Sequence, residues 1–254
     1  MEITGHAAIV TGAASGLGRA TALSLASLGA KVGCLDMEAD GALSTANQTG
    51  GIALPCDVTD PRGVEDAVAT ARAAHGPARI LVSCAGIDTP GRIVGRDRLA
   101  APLEDFVRVV SVNLIGTYNV LRLAAAHMRA LDPLESGERG VIVNTASVVG
   151  YEGQVGHTAY AASKAGIIGM TLPAARELSR SGIRVNTIAP GLFDTPMMRR
   201  LPEEAREALG ASVPFPRRLG KPEEYAELVV HIIRNAMMNG EVVRLDGAIR
   251  LPPV

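Results

Sequence analysis

Two residues with acid–base chemistry lie four positions apart in the stretch HTAYAASKAG, residues 157–166. They are Tyr160, one of only four tyrosines in the chain, and Lys164. On a helix, residues at this spacing share one face about 5–6 Å apart, so both side chains can enter one cavity. A phenol has a pKa of about 10, and a nearby ammonium lowers it by favouring the phenolate. The pair is a candidate proton acceptor; the alternative is a half-buried tyrosine beside a lysine that extends to solvent.

Two more polar residues could complete such a site. Ser147, in NTASVVG, follows a predicted buried strand, at the edge where open α/β sheets bind ligands. Its hydroxyl could donate to a carbonyl or alkoxide oxygen held beside Tyr160. Asn113, in VNLIGT, lies within a predicted helix, where its amide could hold a water that relays protons to Lys164. The alternatives are a serine cap and a solvated amide.

The elements that must position these residues are short apolar runs alternating with longer helical patterns. The predicted strands are Ala7–Thr11, Lys31–Leu35, Ile52–Pro55, Arg79–Cys84, Gly140–Ala146, Ile183–Ala189 and Glu241–Leu245. The predicted helices are Leu17–Leu28, Pro61–His75, Glu104–Met128, Thr158–Ser179 and Pro222–Arg234. Continuously apolar strands are typical of a parallel sheet buried on both faces. The alternation predicts one doubly wound parallel α/β domain over residues 1–254. Two less regular stretches, 87–103 and 193–220, are predicted functional loops, the second a substrate lid.

The turn after the first strand reads TGAASGLGRA, residues 11–20, with glycines at Gly12, Gly16 and Gly18. Glycine permits unusual φ and lets backbone N–H groups approach a phosphate, and the helix that follows offers its positive end. We therefore predict a pyrophosphate site here, with contacts from Ser15 and Leu17. The spacing GxxxGxG differs from the GxGxxG fingerprint, and an ordinary tight turn is the alternative.

An acidic residue, Asp36, ends the second predicted strand about 20 residues beyond the glycines. A carboxylate there can accept hydrogen bonds from the adenosine ribose and would repel the extra phosphate of NADP. Met37 follows where an arginine could have neutralised that phosphate, so NAD is the predicted cofactor. After the third strand, Asp57 and Val58 are predicted to flank the adenine, while residues 59–60 offer a helix cap as the alternative reading.

The composition excludes several classes. With 20% charged residues and a net charge of −1, the chain gives no support for binding nucleic acid or anionic membranes. Cys34, Cys56 and Cys84 form no CxxC pair and are predicted to be reduced core thiols. The five histidines have no paired spacing, so no metal site is expected. The sequence shows neither a signal peptide nor a stretch of roughly 18 uninterrupted apolar residues, and a cytoplasmic protein is predicted.

Together these elements resemble the short-chain dehydrogenase/reductase family over the whole chain. The matching motifs are Thr11–Gly18, Asn113, Ser147, the Tyr160–Lys164 pair and APG at Ala189–Gly191. The resemblance implies the strand order 3-2-1-4-5-6-7, a homotetramer, and a catalytic tetrad of Asn113, Ser147, Tyr160 and Lys164. It also implies cofactor contacts from Tyr160, Lys164, Cys84, Ala85, Gly86, Pro190, Gly191, Phe193 and Thr195. Where the family commonly has NNAG, this chain has SCAG at Ser83–Gly86, so the usual side-chain support is missing there.

The second half is similar to family members that oxidise 3-hydroxyacyl-CoA to 3-ketoacyl-CoA, through stretches such as IAPGLFDTPM and VPFPRRLGKPEEYAELV. The resemblance implies the same NAD-dependent reaction, including short branched acyl chains. Gln154 matches a pocket residue of those enzymes, and Leu192 is a second predicted substrate contact. Residues 192–215 are rich in apolar side chains suited to acyl chains or sterols. We hypothesise that Arg92, Arg96 or Arg98 pairs with coenzyme A phosphates; a solvated loop is the alternative.

Three other functions fit parts of the pattern. A sterol or secondary-alcohol dehydrogenase would use the same tetrad. An NADPH-dependent 3-ketoacyl carrier-protein reductase would run the reverse reaction, and Asp36 argues against it. A non-catalytic NAD-sensing scaffold is a third reading, against which the intact tetrad argues.

Overall fold

The computed structural model describes residues 1–252, and its centre is a parallel sheet of seven strands. The strands are β1 (Ala7–Thr11), β2 (Lys31–Asp36), β3 (Ile52–Pro55), β4 (Ala78–Ser83), β5 (Gly140–Thr145), β6 (Ile183–Pro190) and β7 (Val242–Leu245). Their order across the sheet is β3-β2-β1-β4-β5-β6-β7, with every neighbouring pair parallel. This order confirms the predicted fold class and places the carboxyl ends of β1, β4 and β5 side by side.

Helices cover both faces of the sheet. They are α1 (Gly16–Ser27), α2 (Ala39–Thr49), α3 (Pro61–His75), α4 (Leu103–Val110), α5 (Thr117–Arg129), α6 (Val149–Glu152), α7 (Thr158–Ser179), α8 (Glu203–Ala211) and α9 (Pro222–Arg234). Alternate strand residues point to opposite faces, so Val10 of β1 joins one core with α1 and α9, while Ile9 joins the other with α3 and α5. All residues of β1, β5 and β6 are buried, as the continuous apolar runs predicted.

The predicted helix over 104–128 is a helix in three parts. A π-helical turn, Ser111–Gly116, separates α4 from α5, and such turns often occur at functional sites. Among the described residues, the span Leu103–Arg129 is long and apolar enough to cross a membrane by length and composition. Half of its most apolar window is buried inside the fold. A core helix passes the same test, so this is weak evidence for a membrane span.

Three helices were not predicted, of which α6 is a single turn after β5. α2 lies between β2 and β3, and α8 lies inside the segment 193–220, which also holds a short 3₁₀ turn at Met198–Arg200. The predicted lid is therefore partly helical. We expected an irregular segment because it contains several prolines. Pro202, however, is the N-cap residue of α8, where no backbone N–H is needed for a helical hydrogen bond.

Arg184 of β6 joins the sheet to the C-terminal end of α9. Its guanidinium donates to Glu138 at 2.7 Å and to the backbone carbonyls of four residues that end or follow that helix, namely Ile232, Ile233, Asn235 and Met238. Both Arg184 and Glu138 are buried. The charge is thus paired, and the carbonyls that a helix end leaves without partners are satisfied.

Candidate active site

The glycine turn after β1 is held tightly against the end of β4. Gly12 has φ +66°, and a Cβ there would lie 2.8 Å from the Ala85 nitrogen. A Cβ on Gly18 would overlap the carbonyl group of Gly12. Glycine is therefore required at both positions, and the turn keeps its backbone bare beside the first turn of α1, where Ser15 is the N-cap. This is the cradle that a pyrophosphate needs, and Leu17 follows within that turn.

Asp36 is bound to the same turn. Its Oδ2 accepts a hydrogen bond from the Ala14 N–H at 2.9 Å, and its Oδ1 accepts one from the Glu38 N–H at 3.0 Å. A carboxylate oxygen has more than one lone pair, so each oxygen keeps acceptor capacity for a ribose hydroxyl. Met37 is 66% exposed and brings no positive charge. The residues present therefore fit an adenosine ribose.

Asp57 and Val58, the two predicted adenine contacts after β3, lie in different surroundings. Asp57 accepts from both the backbone N–H and the hydroxyl of Thr59, at 2.8 Å each. Val58 is buried, and its carbonyl accepts from the side chain of Asn119 at 3.0 Å. The helix cap expected at residues 59–60 is Asp60, whose side chain accepts from the Arg62 N–H.

The SCAG segment after β4 is supported from β1 in place of the missing asparagines. The Thr11 hydroxyl accepts from the backbone N–H groups of Cys84 and Ala85, at 3.1 Å each. The Cys84 thiol lies 3.7 Å from the hydroxyl of Tyr225, and burial raises its pKa. It is an uncharged core thiol, and all three cysteines are free. At Gly86, an added Cβ would lie 3.3 Å from the amide oxygen of Asn113 and 3.5 Å from the amino nitrogen of Lys164.

Tyr160 and Lys164 share one face in the first half of α7. The Lys164 amino nitrogen lies 5.5 Å from the centroid of the Tyr160 ring and donates to the Thr145 carbonyl at 2.9 Å. Lys164 is 3% exposed, so its ammonium is fixed at the end of β5. Ser147 follows that strand; its hydroxyl accepts from the Val149 N–H at 3.2 Å and lowers the pKa of the Tyr160 phenol. Three of the four predicted catalytic residues therefore meet.

Asn113 completes the group from the π-helical turn. Its amide oxygen accepts from the Ile87 N–H at 2.8 Å, and its amide nitrogen donates to the Ile87 carbonyl at 2.9 Å and to the Ser163 hydroxyl at 3.0 Å. The side chain is fully buried, so it is not the solvated amide of the alternative reading. Both N–H groups are used by the protein, and the oxygen keeps one lone pair for a relay water.

The protonation states differ from the prediction. Burial raises the pKa of Tyr160 to about 12, against the lowering effect of the Ser147 hydrogen bond, and burial lowers the pKa of Lys164 to about 8. The expected lowering of the phenol pKa was wrong, because desolvation and the charge of Asp88 outweigh the effect of Ser147, and Lys164 is not among the causes of the shift. The phenol is protonated at neutral pH, which is the form that donates a proton to a carbonyl.

Two residues beside this group were missed by the sequence reasoning. The carboxylate of Asp88 lies 2.9 Å from Nδ1 of His157, and its negative charge further raises the pKa of Tyr160. Asp88 is 69 residues from His157 in the sequence, so no spacing rule pairs them. The one available signal was that His157 precedes Tyr160 by three positions.

The ends of β6 and β7 line the other side of the cleft. The Pro190 carbonyl accepts from the Val148 N–H, beside Ser147, and a Cβ on Gly191 would lie 2.8 Å from the Asp246 side chain. Thr195 lies against the glycine turn, because a Cβ added to Gly16 would be 3.4 Å from the Cβ of Thr195. The ring of Phe193 is buried in the core against Gly220, so any cofactor contact at this position comes from its backbone. Leu192 is half-buried beside it.

An open groove of about 610 Å³ runs between the loop after β4 and the start of α7. Gln154, predicted to contact substrate, lines it together with Arg92, Ile93 and Thr158. Arg96 and Arg98 are exposed in the same loop but do not line the groove. Of the three arginines in the coenzyme A hypothesis, the structure therefore brings Arg92 to the groove.

Across residues 1–252, no group of three or more His, Cys, Asp or Glu side chains could hold a metal ion.

Comparison with known proteins agrees with this geometry. The sequence profile of the short chain dehydrogenase family matches residues 6–206. The chain is 50% identical to the 3-hydroxyacyl-CoA dehydrogenase type-2 of Drosophila melanogaster over 96% of this chain and 97% of that protein. It is also 50% identical to the Homo sapiens protein of the same name, over 99% and 98% of the two chains.

Among solved structures, the 3-hydroxyacyl-CoA dehydrogenase type-2 of Mycobacterium avium superimposes with a TM-score of 0.94. The two are 45% identical, and the match covers 98% of each chain. The seven-stranded sheet, the glycine turn and the Ser–Tyr–Lys group thus occur together in a chain that the family profile also matches. This chain belongs to the short-chain dehydrogenase/reductase family and is an oxidoreductase.

Proposed function

We propose that this enzyme interconverts 3-hydroxyacyl-CoA and 3-ketoacyl-CoA, with NAD as its cofactor and with short or branched acyl chains as substrates. The observation that carries the proposal is 50% identity over nearly the full length of relatives named for this reaction. The groove beside Gln154 supports it, because it reaches Thr158, two residues before Tyr160, and offers room for a long substrate at the start of α7.

The residues of the cleft divide the work between them. Ser147 donates a hydrogen bond to the substrate oxygen and holds it beside the phenol. Tyr160 transfers the proton, to the carbonyl oxygen in reduction and from the hydroxyl in oxidation. Lys164, with a pKa of about 8, is mostly protonated at neutral pH and favours the phenolate when the proton leaves. A bound nicotinamide would supply or accept the hydride at the carbon that bears this oxygen.

The preference for NAD follows from Asp36. The carboxylate is held in place by two backbone N–H groups of the glycine turn and of the residues after β2, and no basic side chain neighbours it at residue 37. A phosphate on the ribose would meet an uncompensated negative charge. This argument opposes the NADPH-dependent carrier-protein reductase.

The test is steady-state turnover of acetoacetyl-CoA, followed at 340 nm with NADH or NADPH. Oxidation of NADH alone supports both the substrate and the cofactor. A preference for NADPH contradicts the role of Asp36. Turnover of sterols or simple secondary alcohols, with none of acetoacetyl-CoA, would keep the catalytic residues and reject the coenzyme A substrate.

The coenzyme A proposal has its own test in the loop arginines. We expect replacement of Arg92, Arg96 and Arg98 by glutamine to raise the Michaelis constant for acetoacetyl-CoA and leave that of a CoA-free alcohol unchanged, because an arginine–phosphate pair is lost only in the first case. Arg92→Gln alone should reproduce most of the effect, since Arg92 alone of the three lines the groove. Equal effects on both substrates would contradict the proposal.

We also propose a homotetramer in the cytoplasm. Exposed apolar side chains on the helix span 103–129 and on α7 support assembly, namely Leu103, Phe106, Val107, Ile115, Tyr118 and Leu172. An exposed apolar surface of this kind is typical of a protein interface. Light scattering coupled to size-exclusion chromatography measures the assembly directly, and a monomer would contradict it.

A further inference from the structure

The Asp88–His157 pair joins the loop after β4 to the start of α7. Asp88 follows Ile87, whose N–H and carbonyl are both held by the Asn113 side chain. His157 is the residue before α7 and lies three positions ahead of Tyr160. An ionised carboxylate can only accept, so Nδ1 of His157 donates to Oδ2 of Asp88. A backbone hydrogen bond between residues 91 and 156, at 2.8 Å, ties the same two segments a second time.

The charge of Asp88 is poorly screened. Its side chain is 14% exposed, and its Oδ1 is buried without a hydrogen-bond partner. The carboxylate raises the pKa of Tyr160 and opposes the lowering of the pKa of Lys164 by burial. His157 is 25% exposed, and its hydrogen bond to Asp88 raises its own pKa. Solvent can therefore reach the imidazole and change its charge.

Lys164, whose pKa burial lowers to about 8, is the other group beside Tyr160 that loses its proton within reach of neutral pH, and it is present in every variant compared below. The remaining charged or titratable groups packed around these residues keep their charge state. From the end of β4, the buried thiol of Cys84 faces Lys164, and its pKa is raised. From α9, burial raises the pKa of Tyr225 well above its usual value. From α4, the guanidinium of Arg108 donates to the Thr89 hydroxyl next to Asp88 and stays charged.

We propose that Asp88 and His157 are a positioning pair that sets the electrostatic field around Tyr160, with the imidazolium compensating the carboxylate. The proposal rests on the proposed function only in taking Tyr160 as the group that transfers the proton. While His157 carries its proton, the pair is close to neutral. Above the pKa of His157 the proton is lost, the carboxylate is uncompensated, and the phenol holds its proton more strongly.

The proposal predicts opposite effects for two nearly isosteric substitutions. Asp88→Asn removes the negative charge and should move the pH profile of kcat/KM to lower pH. His157→Gln removes the compensating charge wherever the wild-type imidazole is protonated, and in that pH range it should move the profile to higher pH. We expect each shift to be about 0.5–1 pH unit, the size of a Coulomb interaction over several ångströms at a dielectric between those of water and protein surface. The double variant should behave as Asp88→Asn does.

A direct titration of His157 tests the pair without turnover. The chain has five histidines, so the imidazole proton signals can be followed by NMR and His157 assigned by its loss in His157→Gln. We expect its pKa to lie above 6.5 and to fall in Asp88→Asn. Asp97→Asn in the same loop and His127→Gln in α5 are matched controls and should change neither the titration nor the pH profile.

The outcomes separate this proposal from the proposed function. A wild-type His157 pKa at or below 6.5, an unchanged value in Asp88→Asn, or shifts of the pH profile in the same direction for both variants would overturn the pair. If Asp88→Asn does not fold, the NMR pKa of His157 in the wild type and the pH profile of His157→Gln still test the proposal. If acetoacetyl-CoA is not turned over at all, the proposed substrate fails while the titration stands, and the pH profiles can be recorded with any alcohol the enzyme oxidises.

Discussion

Replacing Asp36 by alanine should convert an enzyme that prefers NADH into one that accepts NADPH nearly as well. Asp36 ends β2 and accepts two backbone hydrogen bonds, one from the glycine turn and one from residue 38. The two N–H groups are near the surface, and water can replace the carboxylate as their acceptor. We therefore expect the fold to lose little stability while the ribose loses its acceptor.

The magnitude follows from the hydrogen bonds and the charge. A hydrogen bond to a charged group contributes about 1.5 kcal/mol or more, so losing two to the ribose hydroxyls costs roughly 3 kcal/mol, or about 150-fold in kcat/KM for NADH. A phosphate of about two negative charges some 5 Å from a carboxylate in water is repelled by roughly 1.7 kcal/mol, about 15-fold. The ratio of kcat/KM for NADH over NADPH should therefore fall by roughly two-thousandfold in Asp36→Ala.

The assay is acetoacetyl-CoA reduction at low ionic strength with each cofactor in turn. Asp40→Ala, in the exposed first turn of α2, removes a nearby carboxylate that does not touch the glycine turn, so its ratio should match the wild type. A ratio in Asp36→Ala that stays within fivefold of the wild type, with the protein folded, would refute the assignment of the ribose contact to Asp36.

Three further substitutions test the catalytic group, the cradle and the fold. Tyr160→Phe should lower turnover by about 10²–10⁴-fold, because the proton-transferring group is lost, while NADH binding measured by fluorescence stays; substantial residual turnover would reject this base. Gly18→Ala places a methyl group against the carbonyl of Gly12. It should lower the free energy of unfolding by about 1–3 kcal/mol and weaken NADH binding. If calorimetry and NADH fluorescence both match the wild type, the backbone of the turn can shift to accept the methyl group. Arg184→Met removes the guanidinium from buried Glu138, which keeps only the N-terminal ammonium of Met1 at 3.2 Å, and it takes the donor from four backbone carbonyls. It should lower the free energy of unfolding by about 3 kcal/mol in urea titration, whereas Arg176→Met on the exposed face of α7 should not; equal losses would contradict the anchoring role.

The sheet and most of the site could be predicted because their signals are local. Each buried strand is a continuous apolar run, and the glycine turn, Ser147 and the Tyr160–Lys164 spacing each need only a few neighbouring residues to be recognised. The order of the strands came from the family resemblance, and the structure confirms it.

What could not be predicted depends on contacts between distant segments. α2 contains Gly41, Thr45 and several residues of low helix propensity, and it forms because its buried face packs on the sheet and because Gly41 lies against Ala14. The raised pKa of Tyr160 arises from burial by the whole fold and from Asp88. Neither leaves a pattern in a short window of sequence.

The hydrogen bonds of Asn113 make its side chain act as a substitute peptide group. Its oxygen and nitrogen bind the N–H and the carbonyl of Ile87, as a neighbouring strand would, so strand-like hydrogen bonding recurs four residues past the end of β4. A primary amide alone can do this: aspartate has no donor, and glutamine is one methylene too long. Asparagine is therefore required at position 113 for the structure itself, independently of any role in proton transfer. Because Asp88 follows Ile87, the conformation of the loop that carries Asp88 also depends on Asn113.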